Sequence, residues 1–487
     1  MTINDQQIDS IIDRVVSQLT LVDQPDVDQP DIARPVPPRP LAQNNHDESD
    51  LSMRGCFFDI ESAIAAAKQA FAEYQLVRVA DRKKIIDTIR VVCLENLSKI
   101  AKLAWEETGL GRVEDKIKKN ELAIRKTPGV EDLKPEAFTG DDGLTLMELA
   151  PHGVIGSITP CTNPSETIIS NTIGMIAGGN VVVFNPHPSA KKTSIYTINL
   201  INQAIISAGG PPNLVTTVSN PTIESAQIMM HHADINLLVV TGGPAVVAVA
   251  MKSGKKVIAA GPGNPPVVVD ETADIEKAAK DIVTSASTDN NIICIVEKNI
   301  IVTPNAADAL KKALVKHGAV ELNSHQARRL KEIVVEGDHP NKKWIGKDIQ
   351  LILKEIGMEV ESHKRLAIID VDEQHLFAQL ELLMPVLPFI RAKSFDDAVN
   401  IAYRLEGGRF HTAVIHSKNI EHLHQMARRM NTAIFVKNGP ALAGLGLGGE
   451  GPTSFTVASP TGEGVTTARH FVRIRRCVLS DGYFRIT

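Results

Sequence analysis

A change in hydrophobic periodicity after about residue 150 is the feature that most restricts the fold of this chain. From residue 153 to residue 259, short apolar runs alternate with segments in which apolar residues recur at helical spacing. The apolar runs cover residues 153–158, 181–184, 214–218, 237–240 and 257–259. Alternation on this scale is typical of βαβ units, so the sequence predicts a parallel sheet with helices packed against it. Ligands bind such sheets beyond the carboxyl ends of the strands.

A second α/β region is predicted from about residue 261 to residue 435. Its predicted strands cover residues 266–269, 292–302, 366–371, 387–391, 411–416 and 432–436. A helical pattern over 275–287 runs into a polar turn at 288–291 (TDNN), and Cys294 follows at the start of an apolar run. A residue at such a junction can be held by the sheet and still face a cleft. Cys294 is therefore a candidate nucleophile, although most free cysteines are small buried hydrophobic residues.

The segment that precedes the first predicted sheet is mainly helical. Helical spacing covers residues 60–76, 82–107 and 112–126, and turns with some strand follow over 127–150. Near the other end, residues 439–464 are rich in Gly, Ser, Thr and Pro, which is typical of a long functional loop. Residues 471–479 alternate as a strand does, and a strand so close to a terminus needs a sheet to join. This strand predicts contacts between copies of the chain.

The first 50 residues have an organisation of their own. In residues 1–20, apolar side chains fall on one helical stripe, and residues 21–50 form a linker rich in Pro, Asp, Gln and Asn. A helix this short is only marginally stable alone, so its stripe needs a surface to cover it. Docking to a partner protein is one interpretation, and packing on the chain's own body is the other.

Composition excludes several classes of protein. The chain has 487 residues, a formal net charge of -5 and 43% hydrophobic residues, with its Lys and Arg dispersed, so it lacks the basic patch of a nucleic-acid-binding protein. Its 5 cysteines are scattered without a C-x-x-C pair, which indicates a reducing cytosol and argues against a disulfide framework or a metal site. No apolar run approaches the length of a membrane span.

Three loops at predicted carboxyl ends of strands are candidate ligand sites. They read TPCTNP at 159–164, NPHP at 185–188 and TGGP at 241–244. Gly242 and Gly243 open a helix, which suits a phosphate group, although an ordinary turn is the alternative. None of the three loops contains the G-x-G-x-x-G fingerprint of dinucleotide sites.

Several long motifs, in order along almost the whole chain, resemble the aldehyde dehydrogenase superfamily. Most similar is its CoA-acylating branch, the propionaldehyde and acetaldehyde dehydrogenases of bacterial microcompartments. The motifs are ETGLGRVEDKIKKN at 107–120, GVIGSITPCTNPSET at 153–167, GNVVVFNPHP at 179–188, VVTGGPAVV at 239–247, AGPGNPPVVVD at 260–270, DNNIICIVEK at 289–298 and LMPVLPF at 383–389. The resemblance implies an α/β fold with a Rossmann-type cofactor domain, an α/β catalytic domain and a small oligomerisation sheet.

The resemblance also implies a division of the chain and a set of partners. Residues 1–20 would be an encapsulation helix that binds a microcompartment shell or cargo protein, and 21–50 its linker. The body would comprise an NAD- and CoA-binding domain at 51–259 (with part of 127–150 in an oligomerisation hairpin), a catalytic domain at 260–436, and a return to the cofactor domain with an oligomerisation strand at 437–487. The expected state is a homodimer or homotetramer in the cytoplasm, within a microcompartment, without nucleic acid or membrane partners.

The resemblance assigns roles to individual residues. Cys294 would attack the aldehyde carbonyl, while the Asn163 amide and the Cys294 N–H would stabilise the oxyanion. Glu381 would hold the nicotinamide ribose, although Leu383 and Met384 stand where the family has Phe and Gly. The full set implied for NAD and CoA is Thr159, Pro160, Asn185, His187, Pro188, Thr241, Gly242, Gly243, Gly261 and Glu381, and no metal is expected.

Two departures from the hydrolytic relatives favour transfer to CoA. Ala259-Ala260-Gly261-Pro262 stands where those enzymes have Glu-Leu-Gly-Gly, so the carboxylate that would activate water is missing. Asn185 and Pro188 replace the Lys and Glu of the adenosine site, which favours NAD over NADP. The expected reaction converts a short aliphatic aldehyde, NAD and CoA into acyl-CoA and NADH. A hydrolytic enzyme is the alternative, and a structural passenger with vestigial chemistry is the competing class.

Smaller inferences concern residues near the nucleophile. The branched residues Ile293 and Ile295 flank Cys294, which suggests a small aliphatic acyl pocket. His411 could help deprotonate a CoA thiol, with a structural role as the alternative. Cys161 lies two residues before Asn163 and is assigned no step.

Overall fold

A computed structural model describes residues 54–482. The predicted helix at 1–20 and linker at 21–50 lie outside the described residues. The strands are β1 Cys56–Phe57, β2 Glu136–Gly140, β3 Gly143–Pro151, β4 Val154–Thr159, β5 Val181–Pro186, β6 Val215–Val218, β7 Ile235–Thr241, β8 Val257–Ala260, β9 Pro266–Val269, β10 Asn299–Val302, β11 Ala319–Leu322, β12 Val335–Glu336, β13 His339–Pro340, β14 Leu366–Asp370, β15 Val386–Arg391, β16 Thr412–His416, β17 Ile434–Lys437, β18 Val457–Ala458, β19 Gly464–Val465 and β20 Val472–Ser480.

Among the described residues, the α-helices come between these strands in the chain. They are α1 Ile60–Tyr74, α2 Val79–Glu95, α3 Leu97–Thr108, α4 Val113–Lys126, α5 Pro164–Ala177, α6 Lys191–Ser207, α7 Ile223–His231, α8 Pro244–Met251, α9 Ile275–Ser287, α10 Pro304–Lys316, α11 Ser324–Val334, α12 Ile349–Lys354, α13 Leu376–Gln379, α14 Phe395–Glu406 and α15 Ile420–Met430. Among residues 54–482, no helix is long and apolar enough to cross a lipid bilayer.

Two parallel sheets form the body of the protein. The first has the strand order β1-β6-β5-β4-β7-β8 and the second β11-β14-β15-β10-β9-β16-β17. The ladders within both sheets are parallel. The strands β4 and β5 are buried along their whole length, and helix α5 is buried all round. Strands covered on both faces must be continuously apolar, which is why hydrophobic runs located them.

A third, antiparallel sheet joins β2, β3 and β20, and it contains the predicted C-terminal strand. The long strand β20 pairs with β3 along its whole length, although the two strands are more than 300 residues apart in the sequence. The sheet leaves large apolar side chains exposed, including Phe138, Ile474 and Val478.

Two predicted elements differ from the structure. The single helix predicted over 82–107 is divided into α2 and α3 at Asn96, where the backbone leaves the helical region and the side chain caps Val92 O. The strand predicted over 292–302 begins only at residue 299, since residues 292–298 form turns. Hydrophobicity alone does not distinguish a buried turn from a buried strand, and this caused the second error.

Candidate active site

A cavity of about 500 Å³ opens at the carboxyl ends of β4, β5, β7 and β8. Loops after parallel strands converge at one edge of the sheet, so motifs from distant parts of the sequence meet there. All the site residues predicted from the sequence line this cavity: Cys294, Asn163, Thr159, Pro160, Asn185, His187, Pro188, Thr241, Gly242, Gly243, Gly261 and Glu381.

Cys294 lies in the turn between α9 and β10, and its side chain is half-buried on the cavity wall. The turn begins with three consecutive residues in the left-handed backbone region, Asp289, Asn290 and Asn291. This conformation costs on the order of 1 kcal/mol for each residue other than Gly, so surrounding contacts must hold it. The Asn290 amide donates to Gly346 O at 2.9 Å, and the Asn291 amide donates to Ala286 O at 2.7 Å. Polar side chains therefore fix the backbone that carries the thiol.

Burial, and after it the nearby Glu381 carboxylate, raise the pKa of the Cys294 thiol to about 12, although Lys298 and Lys119 act in the opposite direction. Glu381 is the single carboxylate among the residues that line the cavity, and its own pKa is raised by burial against the opposing charge of Lys298. At neutral pH the thiol of the ligand-free protein is therefore mostly protonated.

This electrostatic environment predicts how fast Cys294 is alkylated. Because only the thiolate reacts, its alkylation by iodoacetamide should accelerate about tenfold per pH unit from about pH 6 to 9 in the ligand-free protein. Glu381→Gln removes a negative charge that disfavours the thiolate, so it should increase the rate at a given pH by a few-fold. Mass spectrometry of the modified peptide separates Cys294 from the other cysteines. A rate that reached a plateau near neutral pH would contradict the raised pKa.

Asn163 caps the start of α5 and is 6% exposed. Its side-chain carbonyl accepts a hydrogen bond from the Lys119 ammonium at 2.7 Å, and its amide nitrogen donates to Thr162 Oγ1 at 3.2 Å. An amide nitrogen has two N–H donors, so one remains for the cavity that Asn163 shares with Cys294. A polarised carbonyl oxygen held between Cys294 and this amide would receive a hydrogen bond.

The other part of the cavity has features that fit a dinucleotide. Helix α8 has Gly243 as its N-cap residue and no side-chain cap, so the N–H groups that follow Pro244 in its first turn are available to a phosphate group. A Cβ atom placed on Gly243 would have no heavy atom within 4 Å, which leaves room for a ligand to approach the backbone. The buried hydroxyl of Thr159 on the cavity wall has no hydrogen-bond partner among the described residues. Asn185 is less available, since its Oδ1 accepts from Ser225 Oγ at 2.6 Å.

Sequence reasoning about the acyl pocket was partly wrong. Ile293 and Ile295 do not line the cavity but are buried in the hydrophobic core. The apolar wall includes instead Ile292 and Leu383, together with Phe455 and Val457 from the long loop near the C-terminus. The composition of 439–464 indicated a functional loop, but nothing local to those residues indicated which part of it reaches the cavity.

His411 is fully buried and does not line the cavity. It lies beside Gly263, where a Cβ atom would come within 3.2 Å of His411 Cγ and 2.6 Å of the Cys294 carbonyl oxygen. Burial, together with the positive charges of Lys298 and Arg409, lowers its pKa to about 4, so the ring is neutral at pH 7. Its Nδ1 lies 2.9 Å from Thr412 Oγ1, and in the part of the chain that is described its Nε2 has no hydrogen-bond partner. Both interpretations of His411 therefore stay predictions.

Comparison with known proteins gives consistent matches over most of the chain. The model of the aldehyde dehydrogenase family matches residues 56–330 and 362–457. The acetylating acetaldehyde dehydrogenase of Escherichia coli (strain K12) is 51% identical over 436 residues, which cover 88% of this chain and 93% of that protein.

Solved structures give the same picture. The propionaldehyde dehydrogenase of Rhodopseudomonas palustris, with bound CoA and an acylated cysteine, is 47% identical with a TM-score of 0.87, covering 88% of this chain and 99% of that one. A propionaldehyde dehydrogenase from the fucose utilisation bacterial microcompartment of Clostridium phytofermentans is 49% identical with a TM-score of 0.88. The match covers 89% of this chain and 100% of that one.

Proposed function

This chain belongs to the aldehyde dehydrogenase family, and from that membership and its cavity we infer that it is a CoA-acylating member. It oxidises a short aliphatic aldehyde with a nicotinamide cofactor and CoA to give an acyl-CoA. The observation that carries this function is the cavity shared by Cys294 and Asn163, which Ala260, Gly261 and Pro262 also line. Together with Ala259, these residues stand where hydrolytic relatives have Glu-Leu-Gly-Gly, so the water-activating carboxylate is missing. The choice of NAD over NADP stays a prediction.

The first step forms a bond between Cys294 Sγ and the aldehyde carbon. The thiol loses its proton to solvent, the thiolate attacks, and the electron pair of the C=O bond moves onto oxygen. We assign the free N–H of the Asn163 amide and the Cys294 backbone N–H as the donors to that oxyanion. The raised pKa of the thiol means that substrate binding must favour its loss of a proton.

Oxidation then converts the adduct into a thioester on Cys294. When bound, the nicotinamide ring accepts the hydride that leaves the aldehyde carbon, and the C=O bond re-forms. We assign Thr159, Gly242 and Gly243 to the dinucleotide and Glu381 to its nicotinamide ribose. The uncapped N-terminus of α8 and the unpartnered Thr159 hydroxyl support this assignment.

The thioester is finally transferred to CoA. The CoA thiol loses its proton to solvent and its sulfur attacks the thioester carbon. Cys294 Sγ then leaves as a thiolate, and the acyl group departs as acyl-CoA. Water competes poorly in this cavity because the carboxylate that activates water in hydrolytic relatives is missing from 259–262, and we assign Glu381, the single carboxylate among the lining residues, to the cofactor ribose.

Aldehyde size provides the direct test of this function. In the presence of CoA and NAD, we expect kcat/KM for propanal or acetaldehyde to exceed that for benzaldehyde by at least about tenfold, because the branched and aromatic side chains of Ile292, Leu383 and Phe455 line the cavity that contains Cys294 and would crowd a larger aldehyde. NADH absorbance and acyl-CoA formation are followed together, and the same series with NADP tests the cofactor preference. A higher kcat/KM for the aromatic aldehyde would contradict a small aliphatic pocket.

The remaining proposals concern assembly and location. We propose that residues 1–20 direct the enzyme into a bacterial microcompartment in the cytoplasm; the helical stripe, the following linker and the microcompartment origin of one structural relative support this. The exposed apolar side chains on the β2-β3-β20 sheet support a homodimer or homotetramer formed through that sheet. We also keep the proposed division into 51–259, 260–436 and 437–487.

Removal of residues 1–20 should separate targeting from catalysis. The truncated enzyme is expected to keep kcat within about twofold and to aggregate less, because the predicted linker at 21–50 would separate the predicted helix from the body, and an uncovered apolar stripe would promote association. A fluorescent protein fused to residues 1–20 should co-purify with shells, whereas the same fusion with Ile11→Glu and Val15→Glu should not. Equal co-purification of both fusions, or loss of activity on truncation, would assign the helix to the enzyme's own fold.

A further inference from the structure

A buried cluster of four charged side chains lies behind the reacting groups. It contains Lys116 and Lys119 of α4, Glu166 of α5 and Asp289 of the turn that leads to Cys294, and each is at most 1% exposed. The Lys119 ammonium lies 2.6 Å from Asp289 Oδ2 and 3.2 Å from Glu166 Oε1. Lys116 contacts the same Asp289 oxygen at 3.1 Å. Two positive and two negative charges balance one another, as buried charges must.

Lys119 is the member of this cluster that touches a residue of the proposed oxyanion site. Its ammonium donates to Asn163 Oδ1 at 2.7 Å. A side-chain amide has two orientations that exchange its oxygen and its nitrogen, and an ammonium group can donate but cannot accept. In the flipped orientation, the amide NH2 group of Asn163 would face the ammonium group of Lys119, and neither can accept a hydrogen bond. Lys119 therefore selects the orientation in which the amide nitrogen is directed away from the cluster.

The same contact improves the amide as a donor. A positive charge on the carbonyl oxygen draws electron density from the amide nitrogen, and hydrogen bonds in such a chain strengthen one another. Burial works against the charge on Lys119, but Asp289 and Glu166 outweigh it and leave its pKa above the ordinary value. The ammonium is thus charged throughout the working pH range.

Asp289 connects this arrangement to the nucleophile. Its carboxylate accepts from Lys119 and from the backbone N–H of Arg112 at 2.8 Å, while its own N–H donates to Asp115 Oδ2 at 3.0 Å. It is also the first of the three left-handed residues before Cys294. One ammonium therefore contacts both the amide of Asn163 and the turn that carries the thiol.

We propose that Lys119 is a positioning residue for the reaction. It fixes the Asn163 amide so that one N–H faces the substrate oxygen, and it keeps this amide at a constant position relative to the turn that carries Cys294. The inference rests on the proposed function, because it acts through the oxyanion role assigned to Asn163. Lys119 itself does not line the cavity and touches no substrate.

The test is a double-mutant cycle between Lys119→Met and Asn163→Ala. Asn163→Ala should lower kcat on the order of a hundredfold, the usual effect of one oxyanion donor. Lys119→Met should lower kcat by about 10- to 100-fold and leave KM for the aldehyde within about threefold of wild type. The reason is that the Asn163 amide loses its orientation, while the pocket that binds the substrate is unchanged. The double variant should resemble Asn163→Ala alone within about threefold, since the lysine acts through the asparagine.

Two further variants separate positioning from charge balance and folding. Lys118→Met is the matched control, because Lys118 is the exposed neighbour on the same helix; it should retain wild-type kcat. Lys119→Met combined with Glu166→Gln restores the charge balance and keeps the Lys116–Asp289 pair. It should fold, as shown by its melting temperature and NAD binding, and should keep the loss in kcat. Recovery of wild-type kcat in this variant would overturn the proposal.

The cycle also distinguishes which idea fails. If Asn163→Ala retained kcat within about threefold, the oxyanion assignment would fall, and the positioning role with it. Suppose instead that Asn163→Ala lowered kcat as expected, and that the double variant lost the product of the two single-variant factors in kcat. The proposed function would then stand, but Lys119 would not act through Asn163.

Discussion

Cys294→Ala is expected to reduce acyl-CoA formation on the order of 10⁴-fold or more, because loss of a nucleophile removes the covalent route altogether. Alanine leaves the strained turn and the cavity wall in place, so NAD binding should stay within about threefold of wild type. Acyl-CoA and NADH are measured together at saturating aldehyde, and NAD binding is measured by calorimetry. Cys477→Ser is the control, since that cysteine is exposed on β20 and does not line the cavity.

The contrary outcome is informative because a second thiol lines the same cavity. If Cys294→Ala retained substantial activity, Cys161 would be the first alternative nucleophile. Burial raises the pKa of Cys161, with Lys116 acting in the opposite direction, so its thiolate is also scarce at neutral pH. Adding Cys161→Ala to Cys294→Ala would then remove the remaining turnover. If Cys294 is the nucleophile, adding Cys161→Ala should cause no further loss of acyl-CoA formation.

Omission of CoA should stop the wild-type enzyme after about one turnover. We expect a burst of about one NADH per active site, followed by a steady rate at least about 100-fold lower than with CoA, because the thioester lacks a base that would activate water. Rapid mixing of enzyme with propanal and NAD measures the burst, and mass spectrometry of the quenched protein should show the acyl group on Cys294. Addition of CoA should then release propionyl-CoA and restart NADH formation.

Continuous NADH formation without CoA, with a free acid as product, would instead identify a hydrolytic enzyme. Glu381 would then be the candidate base, since it is the single carboxylate among the cavity-lining residues and burial raises its pKa. Glu381→Gln would abolish that hydrolysis. In the CoA-acylating mechanism the same substitution should weaken cofactor binding and leave the requirement for CoA unchanged.

Much of the fold could be predicted because its signals are local. The predicted and observed bounds of β9 and α9 agree at both ends, and the strands from β4 to β8 were found within two residues. Buried parallel strands are continuous apolar runs, and helices carry a 3.6-residue period, so each element is visible in its own residues. The antiparallel partner of β20 was less visible, because its pairing with β3 joins distant parts of the chain.

The residues that line the cavity could also largely be predicted from the sequence. Most of their loops follow β4, β5, β7 or β8, and the topology of a parallel sheet brings those loops to one edge whatever lies between them. Cys294 and Glu381 instead precede β10 and β15 of the second sheet. The motif resemblance then assigned roles within that edge, which the mutants above test. Phe455 and Val457 could not be found in this way, because they lie well beyond the end of β17, late in a long loop whose own residues do not indicate where it reaches.

The sequence by itself determined the order of strands and helices, the loops that meet in the cavity and the candidate nucleophile, since each depends on residues adjacent in the chain. Only the tertiary structure decided which charges are buried. In VEDKIKKNELAIRK, Lys118 and Lys119 are adjacent and chemically identical, yet Lys118 is exposed while Lys119 is enclosed by Glu166 and Asp289. The difference arises from partners 47 and 170 residues further along the chain, whose carboxylates offset the cost of burying an ammonium group. No local pattern records such a pairing, and therefore the proposed role of Lys119 could be inferred only after the helices had been packed together.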